Sequence, residues 1–350
     1  MLSRIIRIAV LATWGSLVLS GCTMRLDRDL QDGAPIGFKA GSALLRDDAT
    51  KTGSPKVYFT PDDKFFVYGS KTLQGTRYTV FDGDAVDTPD GTSWDYAPHR
   101  FWDFNCSSYD FLAIAGPDGN QSILCNPAEA VGELSAQVNY DPTVAQYDLM
   151  AACARRRMDT HATTPVHFQF SHLLSAVCVV IYNDSPEMGI TLNSYRFQNL
   201  CTQAQGVVEQ NGDNIVLSSD WLSPGYNTNR VLGCAPGATL APGTQFPQAG
   251  DPYVTDLMIP QQFGLNLTYI PRLVLNYQYR SVGESEDTII ETAVKLEEIH
   301  VKGSEEFITS WLPGVRYVYE IHIRMGGGLR VSVSVAPWEE VHAETPGVTI

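Results

Sequence analysis

The sequence predicts an all-β protein built from β-sandwiches, and three observations carry that prediction. Short segments rich in aromatic and β-branched residues recur along most of the chain. Turn residues punctuate them, with 29 Gly and 20 Pro in 350 residues. No stretch of useful length places apolar residues at the helical period. Many short strands with frequent turns imply sandwiches.

The first residues carry Arg4 and Arg7 and no acid, and an apolar run follows from Ile8 to Leu19. That run is short for a membrane span and reads as the apolar region of a secretory signal peptide. It ends in Leu19-Ser20-Gly21-Cys22, which resembles the bacterial lipobox. The small residues suit a narrow peptidase site, and the Cys22 thiol is the expected acceptor of lipid. Residues 1–21 are therefore expected to be removed, leaving Cys22 as the lipidated first residue. Two or three acyl chains hold a protein to a membrane durably.

Residues 22–56 are polar, with Asp, Gly, Ser and Thr, and read as a stalk. One island in it, Ile36-Gly37-Phe38-Lys39-Ala40, is expected to form a strand. Arg46 follows in the open polar stretch Leu45-Arg46-Asp47-Asp48, a place open to a protease.

Residues 57–160 are expected to form a first β-sandwich domain. Lys64–Tyr68 and Arg77–Phe81 are strand-like, and Trp94–Trp102 and Tyr109–Ala115 continue the pattern. Pro89-Asp90-Gly91 and Pro117-Asp118-Gly119 are turn signals, since Pro presets φ and Gly accepts positive φ. Residues 127–160 are less regular and read as one short helix with Arg155-Arg156-Arg157 in a loop.

Residues 161–350 are expected to form a second β-sandwich domain. Val166, Phe168 and Phe170 alternate with His167, Gln169 and Ser171, while Cys178–Tyr182 is a continuous apolar strand. Between Gly206 and Leu217, Asn211-Gly212 is a strong hairpin signal. Further strands are expected over 192–200, 256–259, 267–279, 288–296, 316–324 and 329–335, the last two joined by Gly326-Gly327-Gly328.

The formal charge is −15, and removing residues 1–21 takes away two arginines and no acid, which leaves −17. That argues against nucleic acid and anionic headgroups as partners. Six cysteines besides Cys22, at 106, 125, 153, 178, 201 and 234, sit in an export context that permits disulfides, but spacing does not choose among the pairings.

Catalytic motifs are missing from the sequence. There is no Gly-x-Ser-x-Gly, no His-Glu-x-x-His and no EF-hand loop. His161, His167 and His172 read as polar-face and strand-end residues rather than ligands. Asp62-Asp63 and Asp82-Gly83-Asp84 read as acidic turns, with weak calcium binding as the lesser reading. No cofactor and no metal are expected. Trp94, Trp102, Trp221, Trp311 and Trp338 read first as core plugs and second as a sugar-binding surface.

Three segments form a set. They are Thr164–Val177, with Phe168, Phe170, His172, Leu174 and Ser175; Met258-Ile259-Pro260-Gln261; and Trp311-Leu312-Pro313-Gly314-Val315-Arg316-Tyr317-Val318-Tyr319-Glu320-Ile321, followed by Val331–Val335 and Trp338. Their order, with the lipobox, resembles the fimbrillin-like lipoproteins of Bacteroidales. The resemblance implies two tandem transthyretin-like β-sandwich domains and a non-enzymatic, structural and adhesive role in surface fimbriae, with a lipid anchor in the outer membrane. Its implied partners are other fimbrial subunits and a host or bacterial surface ligand. In that family a protease cuts after an Arg following the first strand, and a neighbour's strand fills the groove left behind. Here Ile36, Gly37, Phe38, Lys39 and Ala40 would be the exchanged strand and Arg46 the cut site. The tail after Trp338 is acidic and carries Pro346 and Gly347, so it is a weak strand donor. That favours an anchor, accessory or tip role over a stalk role. The alternative is a stand-alone surface lipoprotein binding glycan or peptide through exposed aromatics.

Overall fold

The computed structural model describes residues 34–42, 59, 61–116, 134–141, 147–158, 163–218, 237–251, 254–264, 269–281, 283–324 and 328–338. Cys22, Arg46, Trp221 and the tail after Trp338 lie outside the described residues. Among the described residues, the fold is all-β and its helix is one 3-10 turn, Leu296–Glu298.

The first strands are β1 (Phe38–Ser42), β2 (Lys64–Leu73), β3 (Thr76–Asp87), β4 (Ser108–Ala115), β5 (Ser135–Tyr140), β6 (Met150–Arg157) and β7 (Val166–His172). The next are β8 (Ser175–Asn183), β9 (Ile190–Gln198), β10 (Ala204–Asn211), β11 (Asn214–Leu217), β12 (Ala238–Leu240), β13 (Gln245–Phe246) and β14 (Thr255–Met258). The last are β15 (Gln261–Gln262), β16 (Arg272–Tyr279), β17 (Thr288–Lys295), β18 (His300–Val301), β19 (Ser310–Trp311), β20 (Val315–Ile323) and β21 (Leu329–Pro337).

Hydrogen bonding links the N-terminal strands in the order β1-β7-β6-β4-β2-β3, and β11-β10-β5 form a separate sheet. In the C-terminal half, β12-β9-β16-β17 face β13-β8-β20-β21-β18, with β14 also on β8. The apolar runs read from sequence explain the central strands. β4 and β8 are buried on nearly every residue, as expected of strands covered on both faces. β7 alternates, with Val166, Phe168 and Phe170 inward and His167, Gln169 and Ser171 outward.

Three cores result. One lies between β1/β7 and β2-β3-β4-β6, and includes Phe65, Phe81, Tyr109, Phe111, Phe168 and Phe170. A second fills the C-terminal half around Phe197, Leu275, Trp311 and Tyr319. The third joins the halves. Tyr68, Leu112 and Ile114 of the first sheet meet Val138, Val208, Leu257, Ile259 and Trp338 there. At that joint Trp338 stacks on His172 with centroids 4.1 Å apart, and His172 Nδ1 lies 2.9 Å from a buried Asp148 carboxylate oxygen.

Three sequence readings are corrected. Arg155-Arg156-Arg157 end strand β6 rather than forming a loop, and the short helix is not found among the described residues of 127–160. The arginines are tolerated in a strand because their heads find partners. Arg155 Nε pairs with Asp110, and Arg156 lies 4.9 Å over the Trp102 ring while donating to Thr164. The stretch 94–102 is irregular rather than a strand, and its backbone pairs through isolated bridges such as Asp87 to Asp95. Pro98 within the run removes a donor and argues against a continuous strand.

The β2 strand passes the core rings closely at Gly69. A Cβ built there would sit 2.8 Å from Phe81 Cδ2 and 3.1 Å from Phe111 Cδ1. Both rings are fully buried and cannot retreat. Gly69→Ala is expected to destabilise the chain by about 1–3 kcal/mol, read as a lower urea midpoint with an unchanged slope. An unaltered midpoint would show that the rings can shift.

Candidate functional site: the seam filled by the first strand

The strand expected over 36–40 lies at Phe38–Ser42, and Ile36 just before it is also buried. β1 runs parallel to β7, from Phe38 opposite Val166 to Ser42 opposite Phe170. The Val166 amide donates to Gly37 O at 2.8 Å. On the other flank the Ile36 amide donates to Arg100 O at 2.8 Å, and the Trp102 amide donates to Ala34 O at 3.2 Å. Residues 34–38 thus lie in a seam between β7 and the 100–102 segment.

Alternation sets which side chains enter the core. Ile36 and Phe38 point in, and Lys39 is exposed. The Phe38 ring lies 5.5 Å from Phe168 in a stacked pair, and 5.3–6.3 Å from Phe81, Tyr96, Phe111 and Phe65. Edge-to-face contacts of this kind add to simple burial. Fully burying each of Ile36 and Phe38 contributes roughly 1.5–3 kcal/mol.

Tyr96 braces the seam from below. Its hydroxyl donates to Ile36 O at 2.8 Å and accepts the Arg100 amide at 3.0 Å. Burial pushes its phenol up to about 12, with the Arg100 contacts pulling the other way. Arg100 fixes the flanking segment through Nε to Val80 O at 3.3 Å and Nη1 to Pro98 O at 2.8 Å. The sequence reading missed Tyr96 and Arg100. Their signal was weak, because both belong to an irregular segment whose partners lie far away in the chain.

Without β1, the ring surfaces of Phe65, Phe81, Phe111 and Phe168 and one edge of β7 would be bare. Such a seam accepts an extended segment by main-chain hydrogen bonds, and its pockets select large apolar side chains at alternate positions. The strand is followed shortly by the stretch that holds Arg46.

Other residues singled out from sequence go elsewhere. His167 is exposed on β7 and His172 is at the joint, so the two do not converge, and His161 lies outside the described residues. Among the described residues no group of three His, Cys, Asp or Glu could hold a metal ion. Asp62, Asp82 and Asp84 lie in or beside the β2–β3 region as turn and edge residues. Cys106, Cys178 and Cys201 are buried free thiols, with burial raising each pKa. Trp102, Trp311 and Trp338 are buried, and Trp94 packs against Phe59 and Phe65. These four act as core plugs rather than as a flat sugar platform.

Two outcomes are expected at the seam. Phe38→Ala removes the central ring and should cost about 3–5 kcal/mol in urea unfolding, and a cost below about 1 kcal/mol would show that the seam does not depend on it. The Tyr96 phenol titrates higher folded than unfolded, so folding favours its neutral form. Its contribution is whole below pH 10 and is lost as pH rises through about 12. The wild type should therefore lose more stability across that window than Tyr96→Phe, which has no phenol to ionise there. Equal losses would show that the phenol does not couple to the seam.

Comparison with solved structures shows the fold shared at low identity. A candidate cell adhesion protein from Parabacteroides distasonis ATCC 8503 matches with a TM-score of 0.53 at 8% identity, over 89% of this chain and 98% of that one. One from Bacteroides uniformis ATCC 8492 matches with a TM-score of 0.47 at 17% identity, over 87% and 98%. The tip fimbrial protein Mfa3 from Porphyromonas gingivalis, with C-terminal truncation, matches with a TM-score of 0.42 at 10% identity, over 79% and 95%. A search of curated proteins gave no match. The fimbrillin-like family model matches residues 49–338, and on that match the chain belongs to the fimbrillin-like family.

Proposed function

We propose that the chain is a structural, adhesive subunit of cell-surface fimbriae that joins its neighbours by strand exchange. Family membership supports the fimbrial-type, non-enzymatic part of this reading. The observation that carries the rest is the seam. A short strand supplies Phe38 to an aromatic core, is held on both flanks by main-chain bonds, and precedes the stretch holding Arg46. In this reading Cys22 carries the lipid that holds the exported chain to the outer membrane. Cutting after Arg46 frees residues up to that point, β1 leaves, and an extended strand from another subunit takes its place between β7 and residues 100–102.

The tail after Trp338 sets the position in the fibre. It holds Glu339, Glu340, Glu344 and Pro346. Charge and Pro suit a long donated strand poorly. The chain is therefore read as an accepting subunit, placed as an anchor, accessory or tip piece rather than as a repeating stalk unit.

The test is mass spectrometry of protein recovered from cells, before and after treatment with an Arg-specific protease. The expected result is a lipidated Cys22 fragment released by cutting after Arg46, followed by binding of partner subunits in complexes that resist SDS. A chain that is cut and then simply unfolds, or one that keeps β1 in place when partners are added, would sink strand exchange. A second arm adds a peptide spanning residues 34–42 in excess, which should block partner binding by refilling the seam.

A further inference from the structure

Strand β17 ends the sheet β12-β9-β16-β17, and among the described residues it pairs on one side only. Its eight residues keep an unbroken register with β16, from Thr288 opposite Tyr279 to Lys295 opposite Arg272. Alternation divides them. Ile290, Thr292 and Val294 lie opposite the core residues Tyr277, Leu275 and Leu273 and so face the core, where Ile290 and Val294 are partly covered. Ile289, Glu291 and Ala293 face outward and are exposed, Ile289 at 65%.

A bare edge of this kind accepts another strand, and folded proteins usually blunt it with shortness, bulges, charge or Pro. The other strands that end sheets here follow that rule. β1, β11, β12, β13, β15, β18 and β19 have five residues or fewer. β3 pairs with β2 through two register shifts and carries Asp82, Asp84 and Asp87. β5 has no exposed residue. β17 is long, free of Pro and of bulges, and rich in β-branched residues.

We propose that β17 is a docking edge for a second copy of this chain, the two β17 strands pairing antiparallel with Thr292 opposite Thr292. The occupant follows from self-complementarity. A two-fold axis normal to the sheet must set one residue opposite its own copy, because any other register puts core-facing side chains beside outward ones. Glu291 opposite Glu291 would appose like charges. Ala293 opposite Ala293 would set Ile290 against Leu296, which is fully buried at the start of the 3-10 turn. Thr292 opposite Thr292 avoids both. On the core side it sets Ile290 against Val294, covering the surface that each leaves open. On the outside it sets Ile289 against Lys295 and Glu291 against Ala293. Glu291 is already held by Arg196 at 3.0 Å and Lys295 by Glu298, so neither charge needs a partner from the other copy. The two sheets become one, and the symmetric contact closes as a dimer instead of growing into a fibre. Two short strands make a small interface, so pairing is weak in dilute solution and gains weight among copies held close together. Neither the seam nor Arg46 takes part.

The test is sedimentation of the full chain over a range of concentrations, with opposite charges placed at Ile289. The wild type should pass from monomer to dimer below about 1 mM. Ile289→Lys sets a Lys opposite Lys295 at two symmetric places and should weaken the dimer roughly tenfold, whereas Ile289→Glu should hold or strengthen it. The general field predicts the reverse order, because the chain carries 39 acids against 24 basic residues and an added Lys relieves repulsion. Thermal unfolding should stay unchanged in both, since the side chain is mostly exposed. Thr292→Cys, under oxidising conditions, should join two copies through a disulfide between the substituted positions, found by peptide mapping. A monomer throughout would leave the edge to an unlike partner and overturn the proposal. Equal weakening by Lys and Glu, a Thr292→Cys chain without that disulfide, or a dimer dissolved by the 34–42 peptide and not by Ile289→Lys would each do the same.

Discussion

The open face of the sheet formed by β3, β2, β4 and β6 must be covered, and the N-terminal half depends on how that is done. Its inward residues are mostly large rings, Phe65, Phe81, Tyr109 and Phe111, which are costly to leave in water. β7 covers part of that face and turns the corner into the C-terminal half. β1 covers the rest, although it arrives from the far N-terminal side of the chain. The same pair of strands therefore completes a core that rests in part on a segment far away in the chain.

The C-terminal half meets a different demand, which is to satisfy polar groups that its turns carry inward. Trp311 Nε1 donates to Tyr319 OH at 2.9 Å, and Tyr317 OH accepts the Leu312 amide at 2.8 Å. Gly314, at φ 66°, makes the turn that brings these residues together. Gln261 answers the Cys201 backbone in both directions, with Oε1 accepting its amide at 2.9 Å and Nε2 donating to its carbonyl at 3.1 Å. Two of the segments by which the sequence resembles its family, at Gln261 and at Trp311–Tyr319, are thus places where buried polar groups find partners.

Strand identity was legible because alternation and apolar runs report burial directly, as in β7 and β8. Turns were legible where Gly or Pro imposes a backbone angle, as at Gly212 between β10 and β11, whose φ is 65°. What could not be read was pairing across distance. Nothing local to Phe38 says that it stacks on Phe168, and nothing local to Tyr96 says that it bonds to Ile36. The arginine run 155–157 misled for the same reason, since Asp110 and Trp102, which make it tolerable in a strand, are remote in sequence. That β17 ends its sheet is likewise visible only once β9 and β16 are in place.

The parallel direction of β1 beside β7 has a mechanical consequence. A chain tethered through its N-terminal side and pulled by its body loads β1 along its own axis. The bonds of the five-residue strand to β7 then resist together in shear, and Phe38 must be dragged lengthwise through a ring of aromatics. Peeling the same strand outward, from the end nearest Arg46, breaks those bonds one at a time. The seam is thus stiff toward tension along the strand from its N-terminal end and compliant toward an agent working from the opposite end.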